Sequence, residues 1–219
     1  MGYGIKMEVW GEYALFTRPE MKVERVSYDV ITPSAARGLI EAVYWKPAIK
    51  WVIDKIYVYN PIEFTNIRRN EVSTKISKSS AKALMEGKKQ IDFINTNEQR
   101  QQRAAMVLKN VRYVIEAHFE MTDKAGETDS VEKHYNIALR RIKNGQCYHM
   151  PCFGCREFPA NFKFLEGDIA KTALKGEQDF GYMLYDMNFS DSENIYPVFF
   201  RAKMIDGVID LKDIDIVGW

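Results

Sequence analysis

Between residues 107 and 121 the chain alternates with a period of two. Val111, Tyr113, Ile115, Ala117, Phe119 and Met121 fall on one side, and Arg112, Val114, Glu116, His118 and Glu120 on the other. That period is a strand with one side in a core and the other polar, and any fold of this chain must seat it so. Its companions are legible. Residues 5–10 alternate in the same way, and residues 51–59 carry Val52, Ile53, Ile56 and Val58. After the break at Asn60 and Pro61, residues 62–67 resume extended structure. A further strand is expected between 156 and 165, where Phe158, Phe162 and Phe164 supply apolar mass.

Two helices fit between these strands. Thr32 or Ser34 can cap the first, Pro33 suits its first turn, Ala35, Leu39, Ala42 and Val43 recur at helical spacing, and Pro47 forbids continuation, so Tyr44, Trp45 and Lys46 arrive together at its end. Asp129 and Glu132 form a capping-box pattern for the second, with a stripe of Val131, Tyr135, Ala138, Leu139 and Ile142 ending at Gly145. The order strand, helix, strand, insertion, strand, helix, strand predicts an α+β, ferredoxin-like (RRM-like) main domain over 1–165. Residues 166–219 hold three short apolar segments, 181–189, 196–205 and 208–217, which predict a small C-terminal antiparallel β-sheet.

The insertion, 68–106, differs in kind. Its lysines and arginines stand among Ser, Gln and Ala, and it reads as a basic arm, helical at 80–86 and again at 97–106. The net charge of the 219 residues is only +1, but residues 64–112 hold 11 Lys and Arg against 4 Asp and Glu, whereas residues 186–215 hold 3 against 7. The basic half is the half that can meet phosphate. No apolar run reaches the roughly 18 residues of a membrane span, and the first residues lack the pattern of a signal peptide. A cytoplasmic protein with no membrane partner is expected. Cys147, Cys152 and Cys155 are odd in number and crowded, which fits free thiols in a reducing compartment. With His149 they invite zinc, but the spacing is not that of a two-lobed site; no metal or cofactor is expected.

There is no P-loop, zinc-protease motif, nucleophile elbow or dinucleotide fingerprint. On the polar side of the long strand, His118 lies one pleat, roughly 7 Å, from Glu116, and a histidine beside a carboxylate can move protons near neutral pH. His134, among Lys133, Arg140 and Arg141, reads as a solvent-facing residue of an RNA-facing helix, a binding rather than a catalytic group. Tyr3, Trp10, Tyr13, Trp45 and Tyr148 could stack on bases, but most aromatics are core and none is named as a site.

Six short motifs, in order, carry a family resemblance: Ala14-Leu15-Phe16-Thr17, Ser27-Tyr28-Asp29-Val30, Tyr44-Trp45-Lys46-Pro47, Lys133-His134, Gly154-Cys155-Arg156-Glu157 and Phe180-Gly181-Tyr182-Met183. The chain resembles the Cas5d RNA-processing subunit of subtype I-C CRISPR systems. The resemblance implies a metal-independent endoribonuclease that cuts the repeat hairpin of precursor RNA to a 2′,3′-cyclic phosphate. It further implies that the protein stays on the 5′ handle of the guide RNA and joins the backbone and large subunits of the surveillance complex. In that family a tyrosine at the end of the first helix and a strand motif of lysine, any residue, histidine and phenylalanine complete the active site. Tyr44 and His118 match, and Glu116 stands in the lysine's place, so the expected catalytic set is Tyr44, His118 and Glu116, with Lys46, Lys109 or Arg112 supplying the cation. RNA contact is expected from Lys46, Arg68, Arg69, Lys75, Lys78, Arg100, Arg103, Lys109, Arg112, Lys133, His134, Arg140 and Arg141. The rivals are a non-catalytic guide-RNA scaffold, which Glu116 favours, and a subunit that binds double-stranded DNA.

Overall fold

The computed structural model describes residues 4–21, 23–90 and 93–218. In chain order its elements are β1 (Gly4–Ala14), β2 (Arg25–Val26), α1 (Pro33–Val43), β3 (Ile49–Val58), β4 (Phe64–Val72), α2 (Lys78–Met85), β5 (Arg100–Met121), α3 (Val131–Lys143), β6 (Asn161–Phe164), β7 (Glu177–Asn188), β8 (Tyr196–Ile205), β9 (Val208–Asp210) and β10 (Ile216–Gly218). It is a mixed α and β protein built on one large sheet, antiparallel except where β2 joins β5.

The expected long strand is the centre of that sheet. β1 runs antiparallel along one side of β5, with Gly4 opposite His118, and β3 along the other, with Ile49 opposite Met121. β6 extends the sheet beyond β1. Val111, Tyr113, Ile115, Ala117 and Phe119 are buried as their alternation requires. α1 and α3 cover that side, where Leu39, Ile40, Val43, Ala138 and Ile142 join one core with Ile5, Met7 and Trp51. Burying each large apolar side chain of this kind is worth roughly 1.5–3 kcal/mol, so apolar packing is what chiefly holds the two helices on the sheet. The opposite side is also partly covered: Lys6 Nζ donates to the Gly167 carbonyl at 3.0 Å and the Tyr59 hydroxyl to that of Ala170 at 2.7 Å, and Val114 and Glu8 are buried there.

Several boundaries differ from the sequence reading. Residues 97–106 are not a second helix of the arm, because from Arg100 onward they belong to β5 and pair with β4 from Phe64 opposite Leu108 to Val72 opposite Arg100. Gln, Arg and Ala are good helix formers, but propensity is a small energy that cross-strand pairing overrides. The arm is therefore a β-hairpin with α2 at its far end, capped by Ser77, whose Oγ accepts from Ser80 N at 3.0 Å. Of the two caps offered for α1 it is Thr32 that serves, its Oγ1 accepting from Ala35 N at 3.2 Å, whereas α3 is capped by Ser130 and not by Asp129. The C-terminal strands do pair antiparallel, yet they continue the main sheet through β9 against β3, and the expected segment 208–217 is two strands split by a turn. Gly154, at φ +82, lets the 151–160 loop press on β1's exit: a Cβ there would lie 1.9 Å from the Leu15 carbonyl oxygen.

Candidate active site

The end of α1 sets the site. Tyr44 leaves the helix with extended backbone, φ −152 and ψ 119, and its carbonyl accepts from Trp51 Nε1 at 2.9 Å. This turns the phenol inward, and its Oη lies 2.7 Å from Nδ1 of His134, in the first turn of α3. Both side chains are buried, each 2% exposed. The expected solvent-facing His134 is thus corrected, for the buried residues of α3 are His134, Ala138 and Ile142 at spacings of four, and that stripe points at the sheet. The imidazole stands edge-on to Phe119 of β5, centroids 6.4 Å apart, and the Arg141 guanidinium lies 5.3 Å from the Tyr44 ring centre.

The other ring nitrogen, Nε2, lies 3.2 Å from Asp129 Oδ1 but without hydrogen-bond alignment, so it is a buried polar atom with no hydrogen-bond partner. Such atoms are uncommon and call for an explanation. Asp129 accepts from Gly126 N at 3.0 Å and from Lys133 Nζ at 3.0 Å, and these donors, with the Gly126 amide foremost, hold its carboxyl below the usual range. Burial pushes the Tyr44 phenol above its ordinary value, with Asp129 adding to the rise and Arg141 opposing it. The result is a line of groups, Asp129, His134 and Tyr44, with Lys133 beside its acidic end.

His118 is not part of this line. It neighbours Phe119 on β5, so it faces the opposite side of the sheet. There its Nδ1 meets the Asp54 carboxylate at 2.9 and 3.0 Å. Glu116 does not orient it, since Glu116 Oε2 accepts from the Tyr57 hydroxyl at 3.1 Å; burial, foremost, and Glu116 push that phenol up to about 12. Asp54 took the expected role of Glu116 because β3 carries a bulge: Val52 and Ile53 pair with His118 and Ala117, Lys55 with Glu116, and Asp54 is the extra residue. The structure therefore brings Tyr44 to His134, and brings neither to His118 or Glu116.

The expected RNA-binding cations divide. Arg112 pairs with buried Glu8 at 2.7 Å, Lys109 with Glu63 at 2.9 Å, Arg103 with Glu71 at 3.5 Å, and Arg69 with Glu157. Much of the positive charge of the long hairpin is thus locally neutralised. Lys46, Arg68, Lys75, Lys78, Arg100 and Arg140 are exposed, and Arg141 donates to the Val43 carbonyl at 2.9 Å beside the Tyr44 ring. Cys147, Cys152 and Cys155 are free thiols, and among the described residues no three His, Cys, Asp or Glu side chains group as a metal would require.

A long antiparallel sheet covered on one face by two helices, with a tyrosine and a histidine joined beneath them, is the setting in which family membership can be judged. The family described as CRISPR-associated protein (Cas_Cas5), of the Cas5d type, matches residues 4–212, and the chain belongs to it. Two relatives share most of its length. The CRISPR pre-crRNA endoribonuclease Cas5d of Mannheimia succiniciproducens is 52% identical over 217 residues, 96% of each chain. The protein of the same name from Thermus thermophilus is 37% identical over 224 residues, covering 94% of this chain and 90% of its own. Two solved structures share the fold. A crystal structure of a CRISPR-associated protein superposes with a TM-score of 0.70 at 21% identity, covering 98% of this chain and 96% of that one. A functionally uncharacterized protein from Streptococcus mutans gives 0.69 at 20%, covering 95% and 92%.

Proposed function

We propose that this protein is an endoribonuclease that cuts precursor CRISPR RNA at its repeat hairpin, with Tyr44 and His134 as the proton-transfer pair. The observation that carries the reading is the buried 2.7 Å contact between Tyr44 Oη and His134 Nδ1, with Nε2 left without a hydrogen bond. With the phenol donating to Nδ1, its oxygen can accept the proton of a ribose 2′-hydroxyl as its own proton passes to the imidazole, so no free phenolate forms. The 2′-oxygen attacks phosphorus, the P–O5′ bond breaks, and the products are a 2′,3′-cyclic phosphate and a 5′-hydroxyl. Asp129 faces the imidazolium formed in this step, and the Lys133 ammonium, held to the same carboxylate at 3.0 Å, gives the leaving 5′-oxygen the proton that makes it a hydroxyl. None of these roles needs a metal ion.

Around this step we place the remaining expectations. The strand order β3-β5-β1-β6, with α1 between β1 and β3 and α3 between β5 and β6 in the chain, supports a ferredoxin-like core for residues 1–165, extended by the strands of 166–219. The exposed lysines of the arm suit RNA. The relatives' names support precursor CRISPR RNA as the substrate; retention on the guide RNA of a subtype I-C surveillance complex is what the family resemblance implies. Purified protein incubated in EDTA with its own repeat RNA, beside the same RNA with 2′-deoxyribose at the scissile nucleotide, tests the reading. Cleavage of the first and none of the second is expected. Cleavage of both would remove the 2′-oxygen mechanism, and loss of cleavage that magnesium restores would remove its metal independence; binding without cleavage of either leaves a guide-RNA scaffold.

A further inference from the structure

We propose that the cavity at the C-terminal end of α1 is a subsite for one unpaired nucleotide of the RNA, its base held against Trp45 and Tyr148 and read by Glu41, its phosphate beside Lys46 and Arg141. The proposal rests on Tyr44 belonging to the cleavage site, since Tyr44 is in the cavity wall. The cavity measures ≈ 620 Å³, inside the roughly 300–1,000 Å³ typical of sites for small ligands. Two large aromatic side chains line it and are left in water, Trp45 at 52% and Tyr148 at 76% exposed. Neither contributes to the core.

The wall is fixed by the main chain. The amides of Tyr148 and His149 both donate to the Ala42 carbonyl, at 2.9 and 3.1 Å, which docks the loop after α3 against the end of α1. The His149 ring stands edge-on to that of Tyr148, 4.4 Å between centres, and limits how the tyrosine can turn. Arg141, tied to the Val43 carbonyl, and exposed Lys46 provide cations at the same rim. Aromatic faces beside cations are what an unpaired base and its phosphate require. Position sets which nucleotide: Tyr44 and Trp45 are consecutive, one buried and one exposed, so a base on Trp45 belongs next to the phosphate at Tyr44.

Glu41 gives the pocket a preference. It lies one turn before Trp45, in the same wall, and its partner Arg37, 3.4 Å away, is also engaged with Asp186 of β7 at 3.0 Å. Burial pushes the Glu41 carboxyl up despite Arg37, the mark of a carboxylate with too few donors for its desolvation. Guanine offers two N–H donors, N1 and N2, to one carboxylate, and is the base that best supplies them.

The test uses full-length protein and repeat RNA blocked by 2′-deoxyribose at the scissile nucleotide, so that binding is read without cleavage. 2-Aminopurine is placed at one position at a time on either side of that nucleotide. Strong quenching at one flanking position is expected. Trp45→Ala and Tyr148→Ala should each abolish the quenching and weaken binding about 5- to 100-fold, while Trp45→Phe restores both. At that position inosine, which lacks the N2 amine of guanine, should bind more weakly than guanine in the wild type and equally in Glu41→Ala. If no flanking position is quenched, or quenching survives both alanine variants, the subsite is overturned. Equal binding of inosine and guanine by the wild type overturns the role of Glu41. Because cleavage plays no part in these readouts, they stand or fall separately from the activity of Tyr44 and His134.

Discussion

His118 and Phe119 are neighbours on β5 yet face opposite sides of the sheet, and it is Phe119 that touches the imidazole of His134, 6.4 Å between ring centres. Two histidine sites therefore exist on one strand's two faces: His118 with Asp54, and His134 with Tyr44. A general acid or base contributes roughly 10²–10⁴ to a rate. In single-turnover cleavage, His134→Gln should lose about that much while RNA affinity holds. His118→Ala, on the face without Tyr44, should change the rate by about twofold, as substitutions outside a site's machinery do. The reverse pattern would return the active site to His118.

Tyr44→Phe keeps the ring and removes only the oxygen that joins it to His134. Cleavage should fall by about 10² or more, and the fold should lose about 1–3 kcal/mol, because Nδ1 is left buried without a partner. The pH dependence has a definite sign. Burial raises the Tyr44 phenol above its ordinary 10.0, so between that value and its raised one the folded protein holds a proton that the unfolded chain has released. The stability this represents is complete below pH 10 and is lost as pH rises through the raised value. Alkaline unfolding curves of wild type and Tyr44→Phe should accordingly converge above pH 10, while no phenolate limb appears in the cleavage profile below it. A rate limb near pH 9 that vanishes in Tyr44→Phe would contradict this state of the phenol.

The fold was legible wherever a period was sustained. The alternation of β5, the start and stop of α1, and the places of α1 between β1 and β3 and of α3 between β5 and β6 followed from residue spacing. What escaped were features set by pairing between distant segments. Asp54 reaches His118 only because a bulge adds one residue to β3, and no local signal marks it. Residues 100–106 are strand because β4 lies beside them, against the helical preference of their own side chains. His134 was within reach: it stands four and eight residues before Ala138 and Ile142, on the buried stripe of α3. The charges of Lys133, Arg140 and Arg141 drew the helix toward solvent in the sequence reading, although the spacing already placed the histidine inward.

Asp129 offers a sharper test of how the pair is held. Its carboxylate lies 3.2 Å from His134 Nε2 and accepts from Lys133 Nζ. Asp129→Asn keeps the shape and removes the charge. If the carboxylate supports the imidazolium, cleavage should drop by ~10-fold or more, as when a histidine's acidic partner is neutralised, with RNA affinity unchanged or tighter. Faster cleavage would instead mark Asp129 as an anion occupying the place of the phosphate.

The arm separates RNA binding from chemistry. Arg69 and Arg103 are already paired with carboxylates, so the exposed lysines at its far end carry the charge that RNA would meet. Lys75, Lys78, Lys82, Lys88 and Lys89 belong to α2 and its flanks and are exposed, and none of them lines the cavity that holds Tyr44. Each phosphate contact to a single strand releases counterions and contributes ~0.7 to the slope of log affinity against log salt. Changing all five lysines to Gln should weaken binding of repeat RNA at low salt and flatten that slope by up to ~3.5, if each meets one phosphate. Lys82 and Lys88 also face Glu86 at 3.8 and 2.7 Å, so a smaller change is the expected measurement. The cleavage rate at saturating protein should stay within about twofold, since none of the five is among the described partners of Tyr44 and His134 or in the cavity wall. A slope that does not move would make the arm a solvated hairpin, and a collapse of the saturated rate would place it in the active site.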